Sequence, residues 1–247
     1  MTTSGNTTFN LDLNNLIEEA FERCGLELRT GYDMRTARRS LNLLTIEWAN
    51  RGINLWTVEQ GSIPLVQGQL TYDLPIDTID LLDHVVRTQS GINQTDINIS
   101  RISVDTYSTI PNKNAQGRPI QVWINRQSGA KYPVNGNEPI TTNPITGVNA
   151  PNINLWPVPE QSNFYTFVYW RLRRIQDAGN GVNTQDIPFR MLPCLVAGLA
   201  YYLSMKLPEA LPRVEMLKMS YEEQWNLASS EDREKASLRI APRIMYY

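Results

Sequence analysis

The sequence predicts an α+β fold in which a four-helix bundle carries an antiparallel β domain inserted between its two helix pairs. Near both ends of the chain, apolar residues recur at steps of three and four, which is the helical period. The region between them, 55–178, lacks this period and contains short segments bounded by Gly, Pro and Asn. We therefore predict a flexible arm (1–10), a bundle domain (11–54 and 179–236), the inserted β domain, and a C-terminal tail (237–247).

The first helix pair is predicted from two apolar stripes, each followed by a glycine, the usual residue past the last turn. One helix spans 13–24, and Asn10 or Asp12 can cap its start. The other spans about 33–51 and stops before Gly52. Its stripe consists of Met34, Ala37, Leu41, Leu44 and Trp48. Because the intervening loop is short, we expect the two helices to form an antiparallel hairpin.

The second helix pair begins with Asp186–Pro208, the most apolar long run in the chain. Arg190, Pro193 and Lys206 interrupt this run, so it is not expected to span a membrane. We expect it to be the central helix of the bundle. A last helix is predicted over about 212–234. Its stripe consists of Val214, Leu217, Tyr221, Trp225 and Ala228.

The β domain is predicted from short segments separated by turn residues. These segments are 55–66, 70–74, 81–88, 98–102, 119–126, 152–157 and 164–175. Ser103 can cap one helical turn after the fourth segment. The Pro/Asn/Gly/Thr-rich loop over 127–151 is long for a compact domain, and such loops are functional, ordered by a partner, or mobile.

The residues that could carry hydrolytic chemistry are few. His84 is the only histidine, and no Ser or Cys stands at a spacing that suggests a catalytic triad. Three carboxylate pairs could serve a glycosidase, although they fit solvated surfaces equally well. They are Glu18/Glu19, Asp80/Asp83 and Glu222/Glu223. We expect no catalytic residues and no enzyme activity.

The two cysteines, Cys24 and Cys194, fall on apolar faces of predicted helices. We expect them to be either buried free thiols or the two halves of a disulfide between those helices. With one histidine they cannot form a zinc site of standard ligands unless carboxylates complete it. The sequence also lacks a Gly-rich phosphate loop, so no metal and no cofactor is expected. The polar N-terminus MTTSGNTTFN has no signal-peptide pattern.

The net charge of the chain and the positions of its arginines indicate how it could interact with nucleic acid. A formal net charge of −2 does not favour attraction of the whole molecule to nucleic acid. Two local groups could contact phosphate: Arg171, Arg173 and Arg174 at the end of a strand, and Arg35, Arg38 and Arg39 on a helix. Salt bridges and solvation are the alternative for both groups.

The chain ends in a basic and aromatic tail, Arg239–Tyr247, after a strongly polar segment. A solvent-exposed end rarely needs so many apolar groups. The tail could fold back on the β domain, or it could dock on a partner chain as an added strand or an aromatic anchor. Disorder is the third possibility.

Several stretches resemble one family when taken in order. They are LNLLTIEWANRGINLWTVEQGSIPLVQGQLTYDLP, GRPIQVWINRQ, NINLWPVPE and FYTFVYWRLRRIQD, followed by Ile187-Pro188 before an Ala/Leu/Tyr-rich helix. Over about 9–235 the chain resembles the head-to-tail adaptor (connector) proteins of short-tailed bacteriophages, the tail tubular protein A type. None of these motifs is catalytic.

The resemblance implies a structural virion protein at the head–tail junction, made in the host cytoplasm. In that family, about twelve subunits form a ring that joins the portal to the tail nozzle, extends the DNA channel and supports fibres or spikes. Double-stranded DNA would pass through it non-specifically. C-terminal segments of the family grip the portal, which points here to Arg239, Ile240, Arg243, Ile244, Met245, Tyr246 and Tyr247. Arg171, Arg173 and Arg174 are the candidates for lining the channel.

Two functions from other classes compete with the adaptor hypothesis. One is a virion hydrolase acting on cell-wall polysaccharide, against which stands the lack of a convincing acid/base pair. The other is a generic nucleic-acid-binding module, which the balanced charge disfavours.

Overall fold

The computed structural model describes residue 5 and residues 11–52, 55–89, 91–126, 150–179 and 184–232. The chain divides into two compact units. One is a β unit, Thr57–Arg174, and the other is a helical unit formed by the chain before and after it. The tail, the arm apart from Gly5, and residues 127–149 of the predicted loop lie outside the described residues.

Within the described residues there are five α-helices, and the fold class is α+β as predicted. They are α1 (Leu13–Cys24), α2 (Gly31–Arg51), α3 (Val104–Ser108), α4 (Leu192–Ser204) and α5 (Val214–Glu231). All but α3 belong to the helical unit.

The ends of α1 and α2 follow local capping chemistry. The Asp12 carboxylate accepts a hydrogen bond from the Asn15 backbone N–H at 2.8 Å, and Gly25 closes α1 in the left-handed conformation. These two caps confirm the predicted bounds of α1. The second helix starts earlier than predicted because Thr30 and Asp33 form a capping box. It stops at Gly52, as predicted.

The last two helices are shorter than predicted, and prolines are the reason. Pro188 has extended backbone angles, so the chain makes a 3-10 turn at Phe189–Met191 before α4 begins at Leu192. Leu207 is also extended, as a residue before proline prefers, so the helix expected over 186–208 is limited to 192–204. A further 3-10 segment at Pro208–Arg213 delays α5 to Val214.

The centre of the helical unit is α4, in which every residue from Cys194 to Ala200 is buried. α1, α2 and α5 all pack against it. The predicted α1–α2 hairpin is wrong, because both helices make their main contacts with α4 rather than with each other. A helix that is apolar on every side can accept both stripes.

Close packing at Gly198 brings α2 and α5 onto α4. A Cβ atom at this position would lie 2.9 Å from the Leu44 and Tyr221 side chains. Beside this contact, the Trp48 indole Nε1 donates a hydrogen bond to the Tyr221 hydroxyl at 3.1 Å. The absence of a side chain at Gly198 thus permits three helices to meet.

The β unit contains two four-stranded sheets within the described residues. The strands are β1 (Val58–Pro64), β2 (Thr71–Asp73), β3 (Thr78–Thr88), β4 (Thr95–Asn98), β5 (Ser100–Ile102), β6 (Gln121–Asn125), β7 (Asn152–Trp156) and β8 (Tyr165–Arg173). One sheet has the order β1-β8-β3-β4 and the other β2-β7-β6-β5. Side chains from both sheets form a shared core that includes Leu81, Val122, Ile153, Leu155 and Phe167.

Two features of the β unit differ from the prediction. The segment expected as one strand over 98–102 is divided at Ile99 into β4 and β5, which belong to different sheets. In addition, β5 pairs with β6 in parallel, so the β unit is mixed rather than wholly antiparallel. The connection between these strands contains α3, and parallel neighbours require such a crossover.

Replacing Gly198 by Val tests the packing of the helical unit. The added methyl groups would overlap Leu44 and Tyr221, so we expect the free energy of unfolding to fall by about 1–3 kcal/mol. Urea unfolding followed by circular dichroism measures this change. Gly31→Val is the control, because a Cβ there meets no atom within 4 Å and Gly31 does not have a positive φ. An equal effect of both substitutions would contradict the packing described.

Candidate functional site

The arginines predicted to line a DNA channel lie at the end of β8, where they form an ion-pair cluster. Arg171 donates hydrogen bonds to the Asp77 carboxylate at 2.5 Å and to the Glu59 carboxylate at 2.7 Å, and its side chain is only 11% exposed. Arg173 Nε donates to Glu59 at 2.6 Å. The pairing of β1 with β8 places Glu59 directly opposite Arg171.

The electrostatics of this cluster favour internal neutralisation. Burial pushes the pKa of Asp77 upward, but hydrogen bonds from Arg171 and its positive charge outweigh burial and hold that pKa below its ordinary value. The Arg174 backbone N–H donates to the Asp77 carbonyl at 2.8 Å. The structure thus shows the salt bridges that were the alternative to phosphate contact for Arg171 and Arg173. A DNA-lining role for these arginines stays a prediction.

The other arginine group lies on α2. Arg35 and Arg39 are exposed, and Arg38 is half-buried. The Arg39 guanidinium donates to the Thr36 hydroxyl at 3.3 Å. Arg35 and Arg39 belong to a larger face of α2 that is described below.

The histidine and the carboxylates are placed in structural surroundings. His84 is buried, and its ring stacks on Phe167 with 5.9 Å between centroids. Asp80 accepts hydrogen bonds from Arg101 at 2.9 Å and Arg126 at 3.3 Å, whereas Asp83 accepts one from the His84 backbone N–H. The other two carboxylate pairs lie on helices, where one member of each joins an ion pair: Glu19 with Arg23, and Glu222 with Arg51.

Both cysteines are buried free thiols, so the disulfide alternative is excluded. The Cys24 thiol donates to the Ala200 carbonyl oxygen at 3.3 Å. Burial raises the pKa of Cys24 to about 11 and that of Cys194 to about 12. Both therefore remain protonated at neutral pH and are poor nucleophiles.

Two negative observations concern the described residues alone. Their His, Cys, Asp and Glu side chains form no group of three or more that could hold a metal ion. None of the helices in this part of the chain has the length and apolar character needed to cross a membrane.

One exposed face of α2 carries apolar and basic side chains at helical spacing. It consists of Tyr32, Arg35, Arg39, Leu43 and Ile46, which we call the α2 outer stripe. Steps of three and four place these residues together, on the side opposite the buried stripe. Leu43 and Ile46 are 54% and 57% exposed.

A matching face lies on α5. Met216, Met219, Glu223 and Leu227 recur at the same spacing, and we call them the α5 outer stripe. Met219 is 73% exposed, and the other two apolar members are each 58% exposed. Single exposed apolar residues are ordinary, but aligned ones indicate surfaces for contact with another molecule.

Neither outer stripe was predicted from the sequence, because the helix predictions rested only on the stripe that each helix buries. The sequence did contain a sign of the α2 outer stripe. Leu43 and Ile46 are apolar at a step of three, and they fall off the stripe that contains Leu41 and Leu44. An α-helix with two apolar stripes has more apolar surface than one core can cover.

A groove between α1 and the start of α4 is a third exposed apolar feature. Its volume is about 880 Å³. The described residues that line it combine an apolar floor with a charged rim. The floor is Leu11, Phe189, Leu192, Pro193 and Val196, and the rim is Glu18, Glu19, Glu22, Arg23 and Arg190.

Comparison with families of known proteins gives a match. A family model described as "SU10 adaptor protein" matches residues 12–243, which is nearly the whole chain. No curated protein shows significant similarity to the sequence.

Removal of the Arg171 side chain tests the structural role of the ion-pair cluster. We expect Arg171→Ala to lower the free energy of unfolding by about 1–3 kcal/mol, because two carboxylates lose a charged hydrogen-bond donor. Urea titration measures this loss. Arg126→Ala is the matched control, since Arg126 is a more exposed partner of Asp80 and such pairs contribute about 1 kcal/mol or less. Equal, small effects would show that Arg171 is available for other partners.

His84 predicts how stability depends on pH. Burial lowers the pKa of His84, so the folded state takes up its proton at lower pH than the unfolded chain, whose histidine has a pKa of about 6.5. The contribution of neutral His84 to the free energy of unfolding is therefore fully present above pH ~6.5, and it is lost as the pH falls toward the lower pKa of the folded state. Melting temperatures measured between pH 7.5 and 5.5 should fall more steeply for the natural chain than for His84→Gln. Parallel curves would contradict this assignment.

Proposed function

We propose, from the premise that the chain belongs to the SU10 adaptor protein family and is thus a phage structural adaptor protein of the virion, a more specific role. In this role the chain forms a ring that joins the portal to the tail nozzle. This ring is a homo-oligomer of about twelve copies. It extends the DNA channel at the head–tail junction. The observation that carries the proposal is the family match over 12–243.

The exposed helix faces support an assembly role. A heterologous ring needs two different contact patches on each subunit. The α2 and α5 outer stripes are two such patches, since each combines exposed apolar groups with charge. The groove beside α1 offers a further apolar surface to a portal or nozzle protein.

We propose the short-tailed phage type for the finer assignment. The C-terminal tail then contacts the portal through the candidates named from the sequence, all of which lie outside the described residues. Fibres or spikes can attach at the ring, and double-stranded DNA passes through it. Weak DNA binding suits a conduit, because each phosphate contact would have to be broken as the DNA moves. The neutralised Arg171 cluster and a net charge of −2 agree with this.

We propose that the protein has no catalytic role. Among the described residues, some of the carboxylates considered for polysaccharide hydrolysis are ion-paired, as Asp80 is, and others are exposed, as Asp83 is on β3 and as Glu18 and Glu223 are on helix surfaces. A glycosidase needs two carboxyl groups facing one another across a sugar cleft.

The ring proposal is tested by mixing the purified chain with its portal protein and weighing the products by mass photometry. We expect a complex whose added mass corresponds to about twelve copies of the chain. A variant lacking 239–247 should fail to bind the portal while keeping its melting temperature. Absence of a ring-sized complex with the full-length chain would overturn the proposal. Unfolding of the shortened variant would show instead that the tail belongs to the core.

A further inference from the structure

The two outer stripes carry opposite charges at corresponding places. Arg39 stands in the middle of the α2 outer stripe, and Glu223 stands in the α5 outer stripe. Within the described residues, neither side chain has an ion-pair partner of the opposite charge. A surface salt bridge contributes little by itself, but opposite charges within an apolar contact select the partner and its register.

The apolar residues beside these charges have mirrored spacing. Going up the chain from Arg39, Leu43 follows after four residues and Ile46 after another three. Going down the chain from Glu223, Met219 follows after four residues and Met216 after another three. Two helices that run antiparallel would therefore bring these residues together as three facing pairs.

We propose that the α2 outer stripe of one copy packs antiparallel on the α5 outer stripe of the next copy. Arg39 then faces Glu223, Leu43 faces Met219, and Ile46 faces Met216. This contact rests on the proposed ring function, for which it provides the interface between neighbouring subunits. Methionine suits such a surface because its flexible side chain adapts to the partner.

Other pairings of the same surfaces fit less well. In a parallel arrangement with Arg39 opposite Glu223, Leu43 would face Leu227, but Ile46 would face Ser230, which is polar. The antiparallel arrangement gives both Leu43 and Ile46 an apolar partner. If two α2 outer stripes met around a two-fold axis, Arg35 and Arg39 of both copies would be brought together, and like charges would repel. A pairing of α2 with α5 leaves one unused stripe on each copy of a dimer, so that copies can add until a ring closes.

The contact is tested by cysteine cross-linking of the full chain. In the variant Leu43→Cys/Met219→Cys, mild oxidation at high protein concentration should produce a ladder of disulfide-linked multimers on a non-reducing gel. The native Cys24 and Cys194 are buried and do not compete. Leu43→Cys/Lys218→Cys is the matched control, because Lys218 is exposed on α5 but lies beside the stripe. We expect at least ~10-fold more multimer from the first variant.

A second cysteine pair and an exchange of charges provide further tests in case one variant misfolds locally. Ile46→Cys/Met216→Cys should also give a ladder. Within the Leu43→Cys/Met219→Cys background, Arg39→Glu should suppress cross-linking, and adding Glu223→Arg should restore it. Multimers no more abundant than in the control for both pairs would overturn the proposal, as would failure of the charge exchange to restore cross-linking in a folded variant.

Comparison with the portal assay separates the two proposals. Ring-sized complexes with the portal but without these cross-links would show that the ring uses other surfaces. Cross-linked ladders from a chain that forms no complex with its portal would support the α2–α5 contact and contradict the adaptor ring.

Discussion

The burial of α4 on all sides is the constraint on which the helical unit depends. Seven consecutive residues, Cys194–Ala200, are buried, and no single neighbouring helix could cover them. Three helices therefore contribute their apolar stripes to the same central helix. Gly198 makes this possible, since it removes the side chain at the point where Leu44 and Tyr221 approach. The geometry leaves the opposite faces of α2 and α5 directed outward.

Those outward faces expose more apolar surface than the packing on α4 requires. A helix whose only task was to cover α4 would present polar side chains to water. Instead, α2 exposes Leu43 and Ile46, and α5 exposes Met216 and Met219. An adaptor acts through contacts with other virion components, and we propose that this surplus of apolar surface serves such contacts. The ion pairs of Arg171 have a different purpose, which is to hold β8 to its neighbours in the β unit.

Features that depend on near neighbours could be predicted from the sequence. The cap at Asp12, the glycine stops at Gly25 and Gly52, and the buried stripes follow from residues within one or two helical turns. The division of 98–102 at Ile99 could not be predicted, because it depends on pairing with strands distant in the chain. The ion-pair partners of Arg171 could not be predicted either, since Asp77 and Glu59 lie 94 and 112 residues away from it along the chain. The outer stripes were visible as spacing, but only the fold shows which of two stripes remains exposed.

Electron cryomicroscopy of the assembled head–tail junction would show directly whether α2 of one copy packs on α5 of the next. We expect a closed ring of this chain between portal and tail, in which α2 of each subunit lies antiparallel against α5 of the next. Density for Leu43 should then contact density for Met219 of the neighbouring copy. A junction without a ring of this chain would overturn the proposed function, and a ring in which both outer stripes face solvent would overturn the α2–α5 contact.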